Sequence, residues 1–301
     1  MIHFNSKKVL IPVDFSETSL LAIKHGAFTA QLTKGDIYLL HVINTSYVSQ
    51  NLFLPMVNMT DGLKLENKAS EKLTAMASEI EDEYGVKVEC IIKTGNPSQE
   101  IVNVAKEVDA SLIVMGTHGY SPMEELVIGS VALKVLTKAP CPTMAMSNTA
   151  DHKGFSNILI PIDTSAHTRQ KVNYAIEMAS AFSAVLNVVA IVGKEEEEEI
   201  PRMKVILRQI EKIAKKKKIS FHSKIVTKVK NRAKTTVTQA EKLAADMIII
   251  MTDQDAELSG FFLGPYAQQV IHLSKVPVIA VKPFDFSEGS DISLLSGTSG
   301  V

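Results

Sequence analysis

The stretch "GTHGYSPMEELVIGS", residues 116–130, spaces Gly116, Gly119, Gly129 and Ser130 as G-x2-G-x9-G-S. It is neither the dinucleotide fingerprint G-x-G-x-x-G nor the phosphate loop G-x4-G-K-[ST]. Its chemistry is nonetheless readable. Gly116 lets a ligand approach the backbone closely, and Gly119 permits a turn with positive φ. Gly129-Ser130-Val131-Ala132 opens a helix, where unpaired N–H groups and the Ser130 hydroxyl can receive an anion. Asp14 closes the run "VLIPVD", where a carboxylate can bind ribose hydroxyls or help hold a metal. Val42 closes the next apolar run, where backbone N–H and C=O could read an adenine edge.

These residues must be positioned by the elements that carry them. The runs "VLIPV" and "LIVMG" are almost continuously apolar, as strands buried on both faces of a parallel sheet are. Strands are predicted at 8–14, 36–43, 87–93, 110–116 and 142–147, with helices at about 17–33, 63–84, 97–107 and 128–138. Asn96 can cap the third helix, and Pro97 suits its first position. The βαβα alternation implies an open, doubly wound α/β sheet with right-handed crossovers. Ligands bind such sheets outside the carboxyl ends of the strands, where Asp14, Val42 and Gly116 fall.

The pattern occurs twice. "VLIPVDFSETS" (9–19) matches "ILIPIDTSAHT" (158–168), and an offset of 149 aligns Asp14 with Asp163. By "SLIVMGTHG" over "DMIIIMTDQ" the offset has fallen to 135, so the second copy is 14 residues shorter. The deficit is expected after the second strand. The domains are read as 1–147 and 156–284, followed by a tail, 285–301, rich in Ser and Gly and expected to be disordered. Intramolecular pairing of the two domains through strands 142–147 and 277–282 is expected, since duplicated domains naturally use one isologous patch. Whether two chains pair further into a homodimer is left open.

With G-x2-G-x9-G-[ST] intact and the early V-D-x-S and H-V in place, the chain resembles a tandem universal stress protein up to about residue 284. The resemblance implies two five-stranded, Rossmann-like sheets of the adenine nucleotide α-hydrolase-like kind, and members with this pattern bind ATP and pair through the last strand. It implies nucleotide contacts in the first copy at Pro12, Val13, Asp14, Val42, Met115, Gly116, Gly119, Gly129, Ser130, Val131 and Ala132. ATP with Mg or Mn is the expected cofactor, Asp14 reaching the ATP-bound divalent ion.

The second copy departs from the pattern. Gly116, Gly119 and Ser130 align with Met251, Gln254 and Pro265, and only Gly129 keeps its counterpart, Gly264. Proline has neither the N–H nor the hydroxyl a phosphate needs. "DQDAE" (253–257) adds three carboxylates that oppose a triphosphate. One working site per chain follows.

The remaining features narrow the function. A net charge of −1 gives no pull toward nucleic acid. No signal peptide is evident and no stretch approaches the ~20 apolar residues of a membrane span, so a cytoplasmic protein is expected. Two cysteines, Cys90 and Cys141, are expected to be buried, inert thiols, with no CxxC pair. His41 reads as strand packing; His118 could touch phosphate, but no Ser/His/Asp set surrounds it. "KEEEEEIPRMKVILRQIEKIAKKKK" (194–218) reads as a helix with acids at its start and lysines at its end, matching the macrodipole. The loop 44–62 is either local packing or a lid or contact surface. The leading function is an ATP-binding stress-response regulator or adaptor acting on a protein partner the sequence does not name. A slow ATPase or nucleotidyl-transfer enzyme and a nucleotide-free scaffold are the alternatives.

Overall fold

Each apolar run forms a strand and each periodic segment a helix. The computed structural model describes residues 4, 7–44, 59–118, 128–147, 154–165, 168–252 and 263–282. The first half contains β1 (Lys8–Pro12), α1 (Glu17–Thr33), β2 (Asp36–Asn44), α2 (Met59–Tyr84), β3 (Val88–Gly95), α3 (Pro97–Glu107), β4 (Leu112–Gly116), α4 (Ser130–Lys138) and β5 (Thr143–Met146). The second half contains β6 (Asn157–Ile162), α5 (Thr168–Phe182), β7 (Val185–Gly193), α6 (Ile200–Lys216), β8 (Phe221–Val229), α7 (Arg232–Lys242), β9 (Met247–Met251), α8 (Pro265–Leu273) and β10 (Val278–Val281).

The five parallel strands of each half join into one ten-stranded sheet in the order β3-β2-β1-β4-β5-β10-β9-β6-β7-β8. All neighbours are parallel except β5 and β10, which pair antiparallel with Met144 opposite Ile279. In each half the strand order reverses beside the first strand, and this switch point is where α/β sheets seat ligands. One apolar core, with α1, α2, α5 and α6, covers one face across both halves. A second, with α3, α4, α7 and α8, covers the other.

Several expected boundaries move for local reasons. β1 stops at Pro12 rather than residue 14, and Phe15 takes φ 65°, a left-handed turn that ends extended backbone. The last helix of the first half starts at Ser130, because Gly129 (φ −57°, ψ 147°) is its extended N-cap. The acidic run is not the start of one long helix. Lys194–Glu199 is a separate 3-10 turn, broken at Glu196 (φ −115°, ψ 16°), and α6 begins after it. The two thiols also differ. Cys141 is half-buried, and desolvation pushes its pKa up to about 12, with Asp109 adding to the rise. Cys90 is exposed, contrary to the expectation of two buried thiols, because β3 is an edge strand.

The halves are also tied across their first helices. Phe4 packs edge-on against Tyr174 and Phe182 of α5, and its N–H donates to Glu177 Oε2 at 2.7 Å. Reciprocally, Phe155, just before β6, packs on His25 and Phe28 of α1 and stacks on Phe182 at 5.1 Å. The segment leading into each half thus sits on the first helix of the other.

Candidate nucleotide site

The first half brings its candidate residues to one edge through a run of short polar contacts. The Ser16 N–H (3.0 Å) and hydroxyl (2.5 Å) both donate to Asp14 Oδ1. Ser16 is also the N-cap of α1, accepting from Ser19 N–H at 3.3 Å. Its oxygen lies 3.1 Å from Thr18 Oγ1, which donates to the carbonyl of His118 at 2.5 Å. The carboxylate beyond β1 and the start of the glycine stretch beyond β4 are therefore held together. Asp14 itself is exposed, and among the described residues its Oδ2 accepts nothing.

Gly116 has a packing reason that the sequence reading lacked. A Cβ there would stand 2.7 Å from Thr18 Cβ and 3.2 Å from the Thr18 carbonyl carbon. Its missing side chain admits α1, rather than simply leaving backbone open to a ligand. Thr117 then fastens the corner. Its N–H and hydroxyl donate to Met146 O at 2.9 and 3.2 Å, and its carbonyl accepts from Gly129 N–H at 2.8 Å. The hydroxyl also lies 2.8 Å from His118 Nδ1.

That last backbone bond decides which N–H groups are open. Gly129 N–H is spent on Thr117, so the platform is Ser130, Val131 and Ala132, the first turn of α4. α1, α3 and α7 fill their N-termini with the side chains of Ser16, Asn96 and Asn231; α4 has no side-chain cap. Ser130 is exposed at its head.

Val42 lies beyond the β1 ladder, which ends at Pro12 opposite Leu40, while remaining paired with Lys93 of β3. Val13 does not face the site. Its side chain is buried in the core, its N–H donates to Leu40 O at 2.8 Å, and its carbonyl meets His41 Nδ1 at 2.8 Å. Met115 is likewise core, and Pro12 is half-buried at the end of β1. His41 packs at a tilt against Phe15, 4.8 Å between ring centres, and Lys72 Nζ lies 5.4 Å over the Phe15 ring, so the place of His41 is packing. Gly119, most of loop 44–62, "DQDAE" and the tail lie outside the described residues.

The universal stress protein family model matches residues 5–146 and again 154–282. The chain belongs to the universal stress protein family. It is 33% identical over 153 residues to universal stress protein MJ0577 of Methanocaldococcus jannaschii, 46% of this chain and 94% of that protein. It is also 33% identical over 143 residues to universal stress protein YxiE of Bacillus subtilis, 46% of this chain and 96% of that one. A solved universal stress protein from Archaeoglobus fulgidus shares the whole fold, with a TM-score of 0.74, 24% identity, and coverage of 95% of this chain and 99% of that one. Single-domain relatives thus match half of this tandem universal stress protein at a time.

The second universal stress domain of the chain builds the same edge with different chemistry. Asp163 Oδ1 accepts from Ser165 N–H (3.0 Å), Ser165 Oγ (2.5 Å) and Thr168 Oγ1 (2.7 Å). Burial alone raises its carboxyl, but the charge of Lys171 and these hydroxyl donors outweigh it and hold the pKa below the usual range. Lys171 is buried in α5, where α1 has Ala22. Pro265 occupies the first position of α8, removing one N–H and the hydroxyl that Ser130 offers. Beside Asp163 a cavity of about 190 Å³ is lined by Ile191, Val192 and Met203 together with Thr164, Ser165 and Glu199, and Glu196 and Arg232 form an ion pair within its lining. Neither partner of that pair stood out in sequence. Arg232 aligns with Pro97, and the position says nothing until β7 and α7 are side by side. Among the described residues no group of three His, Cys, Asp or Glu could hold a metal ion.

Proposed function

We propose that the first half of the chain, residues 1–147, binds ATP, and that the second, 156–284, is a degenerate partner used for pairing. The N-terminus of α4, uncapped among the described residues, carries this reading: the N–H groups of its first turn and the Ser130 hydroxyl would receive the phosphates. Asp14, with Oδ2 unengaged among the described residues, takes the ribose hydroxyls or the divalent ion that the triphosphate brings. Val42, which lies beyond the β1 ladder, would meet the base. Gly116 and Gly129 serve as the hinge points that bring Ser130 to the edge, with Met115, Pro12 and Val13 behind them as support.

Among the described residues no lysine lies at the α4 N-terminus, and we read the output as a bound state. Chemically, ATP would order the edge of one half, and the strand pair β5·β10 would pass that order to the other. This suits a stress-response regulator or adaptor that presents a nucleotide-dependent surface to a partner protein. No described helix is long and apolar enough to cross a membrane. Isothermal titration of ATP into the full chain tests the reading. Saturable binding lost in Ser130→Pro with the fold intact supports it; unchanged binding in that variant refutes it.

A further inference from the structure

We propose that the second half retains a nucleoside-sized site held shut by the chain itself, with the Glu196–Arg232 ion pair as the latch. The inference rests on the nucleotide reading of the first half, because it compares the two by position. The cavity beside β6 and β7 is lined by Asp163 and Ile191, the counterparts of Asp14 and Val42. Ile191, Val192 and buried Met203 supply the apolar contacts a base needs, among the polar groups of Asp163, Thr164, Ser165, Glu199 and the ion pair. Its volume of about 190 Å³ falls below the roughly 300–1,000 Å³ of ligand pockets.

Two side chains of the lining, Arg232 and Glu196, take up the remaining volume. Arg232 opens α7 at the position where α3 has Pro97, which cannot reach across. Glu196 comes from the 3-10 turn that directly follows β7, and one guanidinium nitrogen of Arg232 contacts both of its carboxylate oxygens. Glu196 Oε2 also accepts from Gly193 N–H at 2.9 Å, so the latch is fastened at the strand end. Both partners stay over a third exposed, at 37% and 45%. Exposed pairs of this kind are weak and screened by salt, so the latch is one that can open. Pro265 restricts the occupant to a ligand without phosphate, such as a purine nucleoside.

Adenosine is the probe, titrated into the full chain by calorimetry for wild type and for Arg232→Ala, Arg232→Pro and Glu196→Gln. Proline is compatible at the first helical position, and Asn231 before it is already extended (φ −128°, ψ 107°). Glutamine keeps the bond to Gly193 while removing the charge. The expected result is second-half adenosine binding that is several-fold tighter in the variants than in wild type, with no added ATP site. No gain in adenosine binding in any variant overturns the inference, and so does a second-half adenosine site equally tight in wild type. An ATP site gained alongside overturns the restriction to phosphate-free ligands. If the variants gain an adenosine site while wild type binds no ATP, the reading of the first half fails while the latch stands. If wild type binds ATP and the variants gain no adenosine binding, the latch fails alone.

Discussion

Asp14 and Asp163 stand at equivalent places in the two halves, yet Asp163 is wrapped by Ser165, Thr168 and the charge of buried Lys171, while Asp14 engages only Ser16 among the described residues. The same carboxylate is open for a ligand in one half and consumed by the fold in the other.

Exchanging the two carboxylates for amides separates these roles. Asp14→Asn keeps an acceptor for Ser16 but loses the charge, and a hydrogen bond to a charged group contributes ~1.5–3 kcal/mol. ATP affinity is expected to fall about tenfold or more, with little change in melting temperature. Asp163→Asn removes the charge that Lys171 and the Ser165 and Thr168 donors act on, and a hydrogen bond to a charged group contributes ~1.5–3 kcal/mol. Melting should drop by several degrees while ATP affinity in calorimetry stays unchanged.

The pH dependence follows from the direction of the Asp163 shift. Its folded pKa lies below the unfolded value of about 3.9. The ionised form therefore stabilises the fold above that unfolded value, and the contribution is lost as pH falls through the lower folded value. Acid unfolding followed by circular dichroism should show this loss in wild type, and Asp163→Asn should flatten it. An identical acid profile in the two proteins would contradict the assignment.

Gly116→Ala places a methyl 2.7 Å from Thr18 Cβ and 3.2 Å from its backbone. Overpacking of this kind costs roughly 1–3 kcal/mol, and here it would also strain the Thr18–His118 bond. A lower melting temperature without nucleotide is expected, together with weaker ATP binding. If affinity falls while the apo melting point does not move, the glycine serves ligand approach alone.

The thiols give a simple check on the burial. Under native conditions at neutral pH an alkylating reagent should modify Cys90, which is exposed, although desolvation and Glu81 raise its pKa and slow it. Cys141, half-buried and pushed up to about 12, should react only after denaturation. Mass spectrometry of the intact protein should show one adduct, then two.

Much of this was legible in the residues. Continuous apolar runs gave the strands, because burial on both faces of a parallel sheet leaves no polar position. Asn96-Pro97 marked the start of α3, and the spacing of Gly129-Ser130 marked the start of α4. The substitution of Pro265 for Ser130 was visible by alignment of the copies. What escaped were relationships between distant segments. The resemblance put Val13 among the site residues, but just past β1 its side chain is buried in the core and its N–H is held by Leu40 O. Gly116 owes its missing side chain to Thr18 on a different element. Gly129 loses its N–H to Thr117, which no local spacing announces. The acidic run looked like a helix start obeying the macrodipole, whereas Glu196 serves an ion pair 36 positions away.

The most direct test of the central claim is the number of ATP molecules bound per full-length chain, with the occupied half located by comparing wild type with Ser130→Pro. One ATP per chain in wild type and none in the variant is the predicted result. Two per chain, or one that survives Ser130→Pro in the folded protein, would contradict a working first half beside a degenerate second.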